Sequence, residues 1–138
     1  MSSSGVRAVF DASVFVRAVV RRDATARLWL RRLIEGELAV AVPDLVYAEI
    51  ANALLQYVRH GMLALHGADR ILEFCRSLPL EVHELGSLVG AALGHAERHE
   101  LSVYDACYAV LAEAQGATLV TADRRLAATS NMSDLLTV

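Results

Sequence analysis

Residues 102–125, SVYDACYAVLAEAQGATLVTADRR, decide the fold because they predict a helix, a glycine turn, a buried strand and the start of another helix. Ser102 is a favourable N-cap, and apolar residues follow it at helical spacing. Gly116 suits the left-handed conformation that often ends a helix. The short apolar and β-branched run 118–121 predicts a buried strand.

Two aspartates flank this unit at positions where α/β folds place their chemistry. Asp105 lies in the first turn of the predicted helix, and Asp123 directly follows the predicted strand. Each also has a purely structural interpretation, because acids near a helix N-terminus complete capping boxes and interact favourably with the helix dipole. Further acids in equivalent places would favour a functional interpretation.

Strands and helices alternate along the whole chain. The predicted strands cover 6–10, 38–42, 80–83, 118–121 and 135–138, and the predicted helices cover 14–19, 24–36, 43–60, 64–77, 86–99, 102–116 and 126–129. Alternation of this kind implies an α/β fold with a mostly parallel central sheet of four to five strands and helices on both faces. Residues 1–138 are long enough to form one domain with a single core.

Two more acids fall at comparable places. Asp11 directly follows the first strand, where it is either an N-cap or a third acid at a strand–helix junction. Glu49 lies inside the helix that Pro43 and Asp44 open, so a capping explanation does not apply to it. It borders the apolar face of that helix and is therefore either a flank residue or an inward-pointing ligand. Asp134, by contrast, is interpreted as a turn or cap residue.

Composition excludes several classes of protein. The net charge of −3 produces no global field for nucleic-acid binding, although a local arginine run is either a solvated helix face or a phosphate-binding surface. Cys75 and Cys107 lack metal-ligand spacing and predict buried free thiols, which fit a reducing cytosol. The N-terminus does not have the pattern of a signal peptide, and no run is apolar enough to span a membrane. We therefore expect a cytoplasmic protein.

Two patterns in the predicted helix 86–99 have structural interpretations. Gly86, Gly90 and Gly94 repeat every four residues, which predicts close helix packing within the fold or across a dimer. His95 and His99 lie one turn apart, but the acid between them does not match a zinc-protease motif, so we interpret them as a solvated helix face.

The four acids point to one kind of chemistry if they meet at one edge of the sheet. Clustered carboxylates repel each other unless a cation neutralises them or some are protonated. Hard oxygen ligands select Mg²⁺ or Mn²⁺ rather than zinc, and such a site activates water for displacement at a phosphoryl group.

Four fragments in register resemble the PIN domain, and the short single-domain form resembles the VapC toxins of bacterial toxin–antitoxin systems. The fragments are VFDAS (9–13), PDLVYAEIANAL (43–54), YDACYA (104–109) and LVTAD (119–123). The resemblance covers essentially the whole chain, in the family's order and spacing. It implies a PIN-like three-layer α/β/α sandwich and a single PIN domain over 1–138.

The resemblance also implies roles for individual residues. The acidic quartet that binds Mg²⁺ or Mn²⁺ would be Asp11, Glu49, Asp105 and Asp123. Small hydroxyl residues supporting the site would be Ser13 and Thr121. We expect arginines next to these segments to contact RNA, namely Arg17, Arg21, Arg22 and Arg124.

The function implied is a metal-dependent endoribonuclease toxin. It would cleave structured RNA, tRNA or rRNA, by attack of metal-activated water on a phosphodiester, and would form a homodimer inhibited by a VapB-type antitoxin. The alternatives are a catalytically inactive PIN-fold binding or scaffold protein and a solitary PIN nuclease without an antitoxin. A phosphotransfer domain with an aspartate nucleophile is disfavoured because position 13 is serine rather than aspartate.

Overall fold

Five parallel strands form the centre of the computed structural model, which describes residues 6–136. The strands are β1 (Arg7–Phe10), β2 (Ala39–Pro43), β3 (Glu81–His83), β4 (Thr118–Thr121) and β5 (Ser133–Leu135). Their order in the sheet is β3-β2-β1-β4-β5, and all four neighbouring pairs are parallel. The predicted parallel sheet is therefore confirmed, with β1 at its centre.

Helices cover both faces of this sheet. They are α1 (Ala12–Val19), α2 (Ala24–Ile34), α3 (Leu45–Arg59), α4 (Leu65–Arg76), α5 (Val89–His99), α6 (Val103–Gln115) and α7 (Arg124–Ala127). One group is formed by α1 packing on α2 and α3, and by α3 packing on α4. In the other group α6 packs on α5 and α7 and lies against β1, β2 and β4. This arrangement confirms the three-layer α/β/α fold.

The core is built on the central strand because three of its four residues are apolar and fully buried. Ala8, Val9 and Phe10 have no solvent exposure. The Phe10 ring makes edge contacts with Phe15 and Trp29, at centroid distances of 5.7 and 6.1 Å. Edge-to-face aromatic pairs of this kind add to the stabilisation from burial. They fix α1 and α2 against the strand that precedes the first acid.

Capping residues determine where several helices begin and end. Asp11, Asp23 and Ser102 each accept a backbone N–H in the first turn of α1, α2 and α6. Gly116 ends α6 with φ +61°, the left-handed conformation predicted for it. The helix–turn–strand unit on which the fold prediction rests is therefore present.

The start of α3 differs in part from the prediction. Pro43 is the last residue of β2, where it pairs with His83, rather than a residue of the first helical turn. Asp44 occupies the N-cap position of α3, but its side chain makes no capping hydrogen bond among the described residues; its carboxylate instead accepts the N–H of Leu85 at 3.2 Å. Pairing with β3 extends β2 by one residue, and Asp44 then ties this end of the strand to the 3₁₀ turn Leu85–Ser87.

The end of the chain also differs from the prediction. The last strand is Ser133–Leu135 rather than 135–138, and positions 137 and 138 lie outside the described residues. Asp134 is a strand residue opposite Val120, so its interpretation as a turn or cap is wrong. Pairing with β4, which the local sequence does not indicate, sets this register.

Helix α5 departs from prediction at its glycines and at one histidine. A Cβ at Gly90 would meet no atom within 4 Å, and one at Gly94 would approach only the Arg98 side chain. The prediction that these glycines allow another helix of the fold to pack closely is therefore wrong. Packing across a dimer stays a prediction. His95 is buried and its Nε2 lies 3.0 Å from the Thr129 hydroxyl, whereas His99 is exposed. The predicted solvated face therefore holds for His99 and is wrong for His95.

Two further predictions agree with the structure. Cys75 and Cys107 are both buried and free, as expected from their helical positions. Across residues 6–136, none of the helices combines the length and the apolar character that crossing a membrane requires.

Two glycine substitutions should have opposite effects on stability. Gly116→Ala forces a side chain into a left-handed conformation and should lower the free energy of unfolding by about 1 kcal/mol. Gly90→Ala lies in the first turn of α5 with open space around it and should raise that free energy by about 0.4–1 kcal/mol, chiefly because alanine has less freedom in the unfolded chain. Urea unfolding of both variants and the parent measures the two differences. Effects of the same sign would contradict the backbone conformations described for these two glycines.

Candidate active site

The pairing of β1 with β4 brings the first acid and a threonine together. The register places Phe10 opposite Val120, and the Asp11 N–H donates to the Val120 carbonyl at 3.2 Å. Asp11 is consequently the neighbour of Thr121 at the carboxyl edge of the sheet. Ligand sites in parallel α/β sheets lie at this edge.

Hydroxyl groups fix the Asp11 carboxylate. One oxygen accepts the Ser13 N–H at 3.0 Å and the Ser13 hydroxyl, and the other accepts the Thr121 hydroxyl. Ser13 Oγ in turn accepts the Ala122 N–H, and Thr121 Oγ1 accepts the Asp123 N–H, each at 2.9 Å. The turn after β4 is thereby tied to the start of α1, and Asp11 is held in one orientation.

A tyrosine orients the second acid. Glu49 projects from α3, and its carboxylate accepts the Tyr108 hydroxyl of α6 at 2.6 Å. The Tyr108 side chain is 1% exposed, so its position is determined by the core. Asp105 lies three residues before Tyr108 on α6, a spacing that places both on one side of the helix. Residues far apart in sequence therefore converge at one place.

These side chains line a common depression, here called the acid cleft, of about 470 Å³. Its walls come from α1, α3 and α6, and its polar residues are Asp11, Ser13, Glu49, Asn52, Tyr104, Asp105 and Tyr108. Asp123 does not line this cleft. Its carboxylate accepts the N–H groups of Arg125 and Leu126 at 2.9 and 3.2 Å and so caps α7.

Burial and mutual repulsion raise the pKa of the acids in the cleft. Burial raises the pKa of Asp11 to about 6 against the effect of its hydroxyl partners, and Glu49 adds repulsion. Burial and then the Asp105 charge raise the pKa of Glu49. Burial and then the Asp123 charge raise the pKa of Asp105. The four carboxylates thus form a chain of repelling neighbours that includes Asp123.

The donor set fits a hard divalent cation. Carboxylate oxygens are preferred ligands of Mg²⁺ and Mn²⁺, and a positive charge would relieve the repulsion that raises these pKa values. Among residues 6–136, no three Asp, Glu, His or Cys side chains already form a group that could hold a metal ion. Mg²⁺ commonly keeps several waters and substrate oxygens as ligands, which suits a cleft with only a few protein carboxylates.

The whole arrangement matches a described protein family. The family model for the PIN domain matches residues 8–131. The chain belongs to the PIN-domain family. The match includes all four acids, and the resemblance identified in the sequence is thereby confirmed.

Relatives place this PIN domain among the VapC ribonucleases. Ribonuclease VapC3 of Pyrobaculum aerophilum is 32% identical over 126 residues, which are 88% of this chain and 93% of that protein. The crystal structure of PAE2754 from Pyrobaculum aerophilum superposes with a TM-score of 0.72 at 28% identity and covers 96% of this chain and 91% of that one. VapBC2 of Rickettsia felis shares the fold, with a TM-score of 0.69 at 17% identity, covering 96% of this chain and 100% of that one.

The arginines predicted to contact RNA lie in different places on this PIN domain. Arg17 and Arg21 line a second cleft that adjoins the acid cleft. Arg22 lines a separate cleft of about 530 Å³ between α1, α2 and α4. Arg124 is exposed at the start of α7, next to Asp123. The four arginines therefore do not form one surface.

Sequence reasoning missed the contact between Tyr108 and Glu49. Tyr108 appears in the sequence only as part of a motif, without a role of its own. A hydroxyl three residues after Asp105 on an otherwise apolar helix face is a signal that a polar partner lies nearby, since buried tyrosines usually donate a hydrogen bond. The identity of that partner, 59 positions away, depends on how the sheet brings α3 and α6 together at one edge, although the two helices belong to different groups.

The buried carboxyl of Asp11 should make the metal-free PIN domain less stable as the pH rises. Its pKa of about 6 exceeds the ordinary value of 3.8, so the folded state binds this proton more tightly than the unfolded state. The stability that this proton contributes is complete below pH 4 and is lost between about pH 4 and 6. At neutral pH the loss amounts to about 3 kcal/mol.

Asp11→Asn removes this titration. In EDTA, the free energy of unfolding of the variant relative to the parent should increase by about 3 kcal/mol between pH 4 and pH 7. Urea unfolding at several pH values measures it, with Asp69→Asn on the exposed surface of α4 as the matched control. A pH-independent difference between D11N and the parent would show that Asp11 ionises without cost in the folded state.

Proposed function

We propose that this chain is a metal-dependent endoribonuclease, the VapC-type toxin of a toxin–antitoxin pair. The observation that carries the proposal is the convergence of Asp11, Glu49 and Asp105 on one open cleft at the carboxyl edge of the sheet. The PIN family and the ribonuclease names of its relatives support the same activity. Hydrolysis of a phosphodiester is the reaction that such a carboxylate cleft serves with Mg²⁺ or Mn²⁺.

Each acid has a distinct part in this proposal. Asp11 and Asp105 are the principal ligands, because both line the cleft and Asp11 is fixed by Ser13 and Thr121. Glu49 is positioned to accept a proton from, or to orient, an attacking water in the cleft. When bound, Mg²⁺ or Mn²⁺ would supply charge neutralisation and a lowered pKa of water. Ser13 and Thr121 keep their partner carboxylate from rotating, so the ligand geometry precedes binding.

Asp123 contributes from outside the cleft. Its carboxylate caps α7 and its charge reaches Asp105. We propose that it takes part in binding the cation together with the other three acids, after a rotation that releases the helix N–H groups or through an intervening water. Both capping hydrogen bonds go to one carboxylate oxygen, Oδ1. Asp123 can therefore cap α7 and also contribute to cation binding.

The partners we propose follow from the same family. The substrate class is structured RNA, tRNA or rRNA, and the inhibitor is a VapB-type antitoxin. The VapC name of the sequence relative and the fold shared with Rickettsia felis VapBC2 support that antitoxin. We further propose a homodimer in the cytoplasm. A cleft equipped with oriented acids favours this enzyme over an inactive scaffold that uses the same fold.

Neutralising one ligand should abolish cleavage without unfolding the protein. Asp105→Asn removes a charge from a half-buried carboxylate that repels its neighbours, so the fold should be retained. Cleavage of total tRNA and of rRNA in Mn²⁺ should fall at least about 100-fold. Asp69→Asn, which lies outside the cleft, is the control. Parent-like cleavage by purified D105N would refute the assignment of this acid.

Metal binding can be measured separately from cleavage. Mn²⁺ at about 100 times its dissociation constant should stabilise the parent by about 2.7 kcal/mol, because only the folded chain assembles the acids. Calorimetric titration and the shift in Tm both report this binding, and both signals should be lost in Asp105→Asn. If the parent and the variant gain the same Tm, the cation binds somewhere other than the acid cleft.

A further inference from the structure

A groove leads away from the acid cleft and has a different chemical character. This groove, here called the arginine groove, has a volume of about 470 Å³ and is lined by Val16, Arg17, Arg21, Gln56, Tyr57 and Ala122. It shares Ala12, Ser13 and Ala53 with the acid cleft. The two depressions are therefore continuous along a common wall.

Residue spacing shows how the groove is built. Along α1, Ser13 and Arg17 are four residues apart and therefore lie on one face of the helix. Arg21 follows the end of this helix at Val19 and lines the same groove. The first member of this series contacts Asp11, and the later two are cationic. On this side of the groove, the hydroxyl group that supports Asp11 is therefore followed by two positively charged side chains.

Helix α3 forms the opposite side with the same spacing. Glu49, Ala53 and Tyr57 are each four residues apart, and α3 packs on α1. The distance along the helix from the acid to the tyrosine is about 12 Å. Ala53, between them, has a small side chain that leaves the groove open. An acid that lines the cleft is thus followed by a half-buried aromatic ring.

The Tyr57 ring is not committed to another aromatic partner. Within the described residues, the recorded aromatic ring pairs involve Phe10 with Phe15 and Trp29, and His95 with His99. The side chain is partly exposed and lines the groove. Aromatic side chains with an accessible face are the common stacking platforms for unpaired bases.

We infer that the arginine groove binds the single-stranded RNA segment next to the scissile phosphate, with Arg21 on the phosphate backbone and Tyr57 stacked on a base. The inference rests on the proposed nuclease function. Charge complementarity supports it, because a phosphate chain leaving the acid cleft along the shared wall meets the cationic side chains that line this groove. Arginine forks match phosphate oxygens, and the groove volume is within the range of nucleotide-sized ligands.

Because this groove adjoins the acid cleft, it would distinguish unpaired from paired RNA next to the cleavage position. A base can stack on Tyr57 only if it is unpaired, because the face of a paired base is covered by its neighbours. The structured RNA proposed as substrate would therefore be cleaved in a loop or at another unpaired segment. Gln56, beside the ring, offers donors and acceptors for the edge of that base.

Binding of a short RNA tests the groove without cleavage. The probe is fluorescein-labelled hexauridylate in EDTA, with binding followed by anisotropy between 50 and 200 mM salt, roughly the range over which phosphate contacts weaken. Arg21→Ala should weaken binding about tenfold and reduce the salt slope by about 0.7, the value for one lost contact to a single strand. Arg70→Ala, which removes one exposed positive charge from α4, is the matched control and should bind like the parent.

A second pair of variants tests the ring. Tyr57→Leu keeps an apolar side chain and should weaken hexauridylate binding about tenfold, whereas Tyr57→Phe keeps the stacking face and should bind like the parent. Thermal unfolding of both variants verifies that they are folded. Equal binding by Y57L and Y57F would overturn the stacking role. Equal effects of R21A and R70A would overturn the phosphate contact.

The outcomes separate this inference from the proposed function. If Arg21→Ala weakens hexauridylate binding but the parent cleaves no RNA in Mn²⁺, the groove assignment stands and the nuclease proposal fails. If the parent cleaves RNA but Arg31→Ala weakens binding instead of Arg21→Ala, the RNA follows the other arginine-lined cleft and the groove assignment fails. Failure of hexauridylate to bind the parent would also overturn it and leave the groove to a polypeptide occupant.

Discussion

The parallel pairing of β1 with β4 is the constraint on which the candidate site depends. It places Asp11 beside Thr121, and the adjacent Ser13 then accepts the Ala122 N–H. The first acid, its hydroxyl partners and the turn that carries Asp123 are thereby joined in one set of hydrogen bonds. Because β1 is the central strand and Ala8, Val9 and Phe10 are fully buried, this set has little freedom to move.

The clustered acids of the site destabilise the folded state when they are ionised and no cation is bound. Burial in the cleft favours neutral carboxyls, and each acid repels the next, as the raised pKa values of Asp11, Glu49 and Asp105 show. The hydroxyl groups of Ser13, Thr121 and Ser102 act in the opposite direction and lower these pKa values in part. The aromatic and aliphatic core around Phe10 supplies the stability that keeps this cluster together.

Local signals predicted most of the fold and the general placement of the site. Strand runs, the Ser102 cap and the Gly116 turn are short-range patterns, and the parallel sheet follows from their alternation. Asp11 reaches the cleft because it follows a parallel strand at the carboxyl edge of the sheet, whereas Glu49 and Asp105 reach it from α3 and α6. No local pattern contains the register of β2 with β3 or of β4 with β5, which explains the errors at Pro43 and Asp134.

Side-chain partners distant in sequence were likewise beyond prediction. His95 is buried where α5 packs on α6, and its hydrogen-bond partner is Thr129, 34 positions away. Arg21 and Arg22 are adjacent in sequence, yet Arg22 has a left-handed backbone, φ 55°, and the two side chains line different clefts. A charge count along the sequence does not contain that backbone conformation.

The separation of Asp11 and Thr121 by 110 positions has a consequence during synthesis of the protein. On the ribosome, Asp11 emerges 110 residues before Thr121, so a growing chain exposes the first acid well before β4 is available to pair. Until then the central strand lacks one of its two neighbours, and its carboxylate lacks a hydroxyl partner. Chains that do not yet contain β4 should therefore lack the hydrogen-bonded set that orients Asp11, so that the site forms only after this strand has paired with β1.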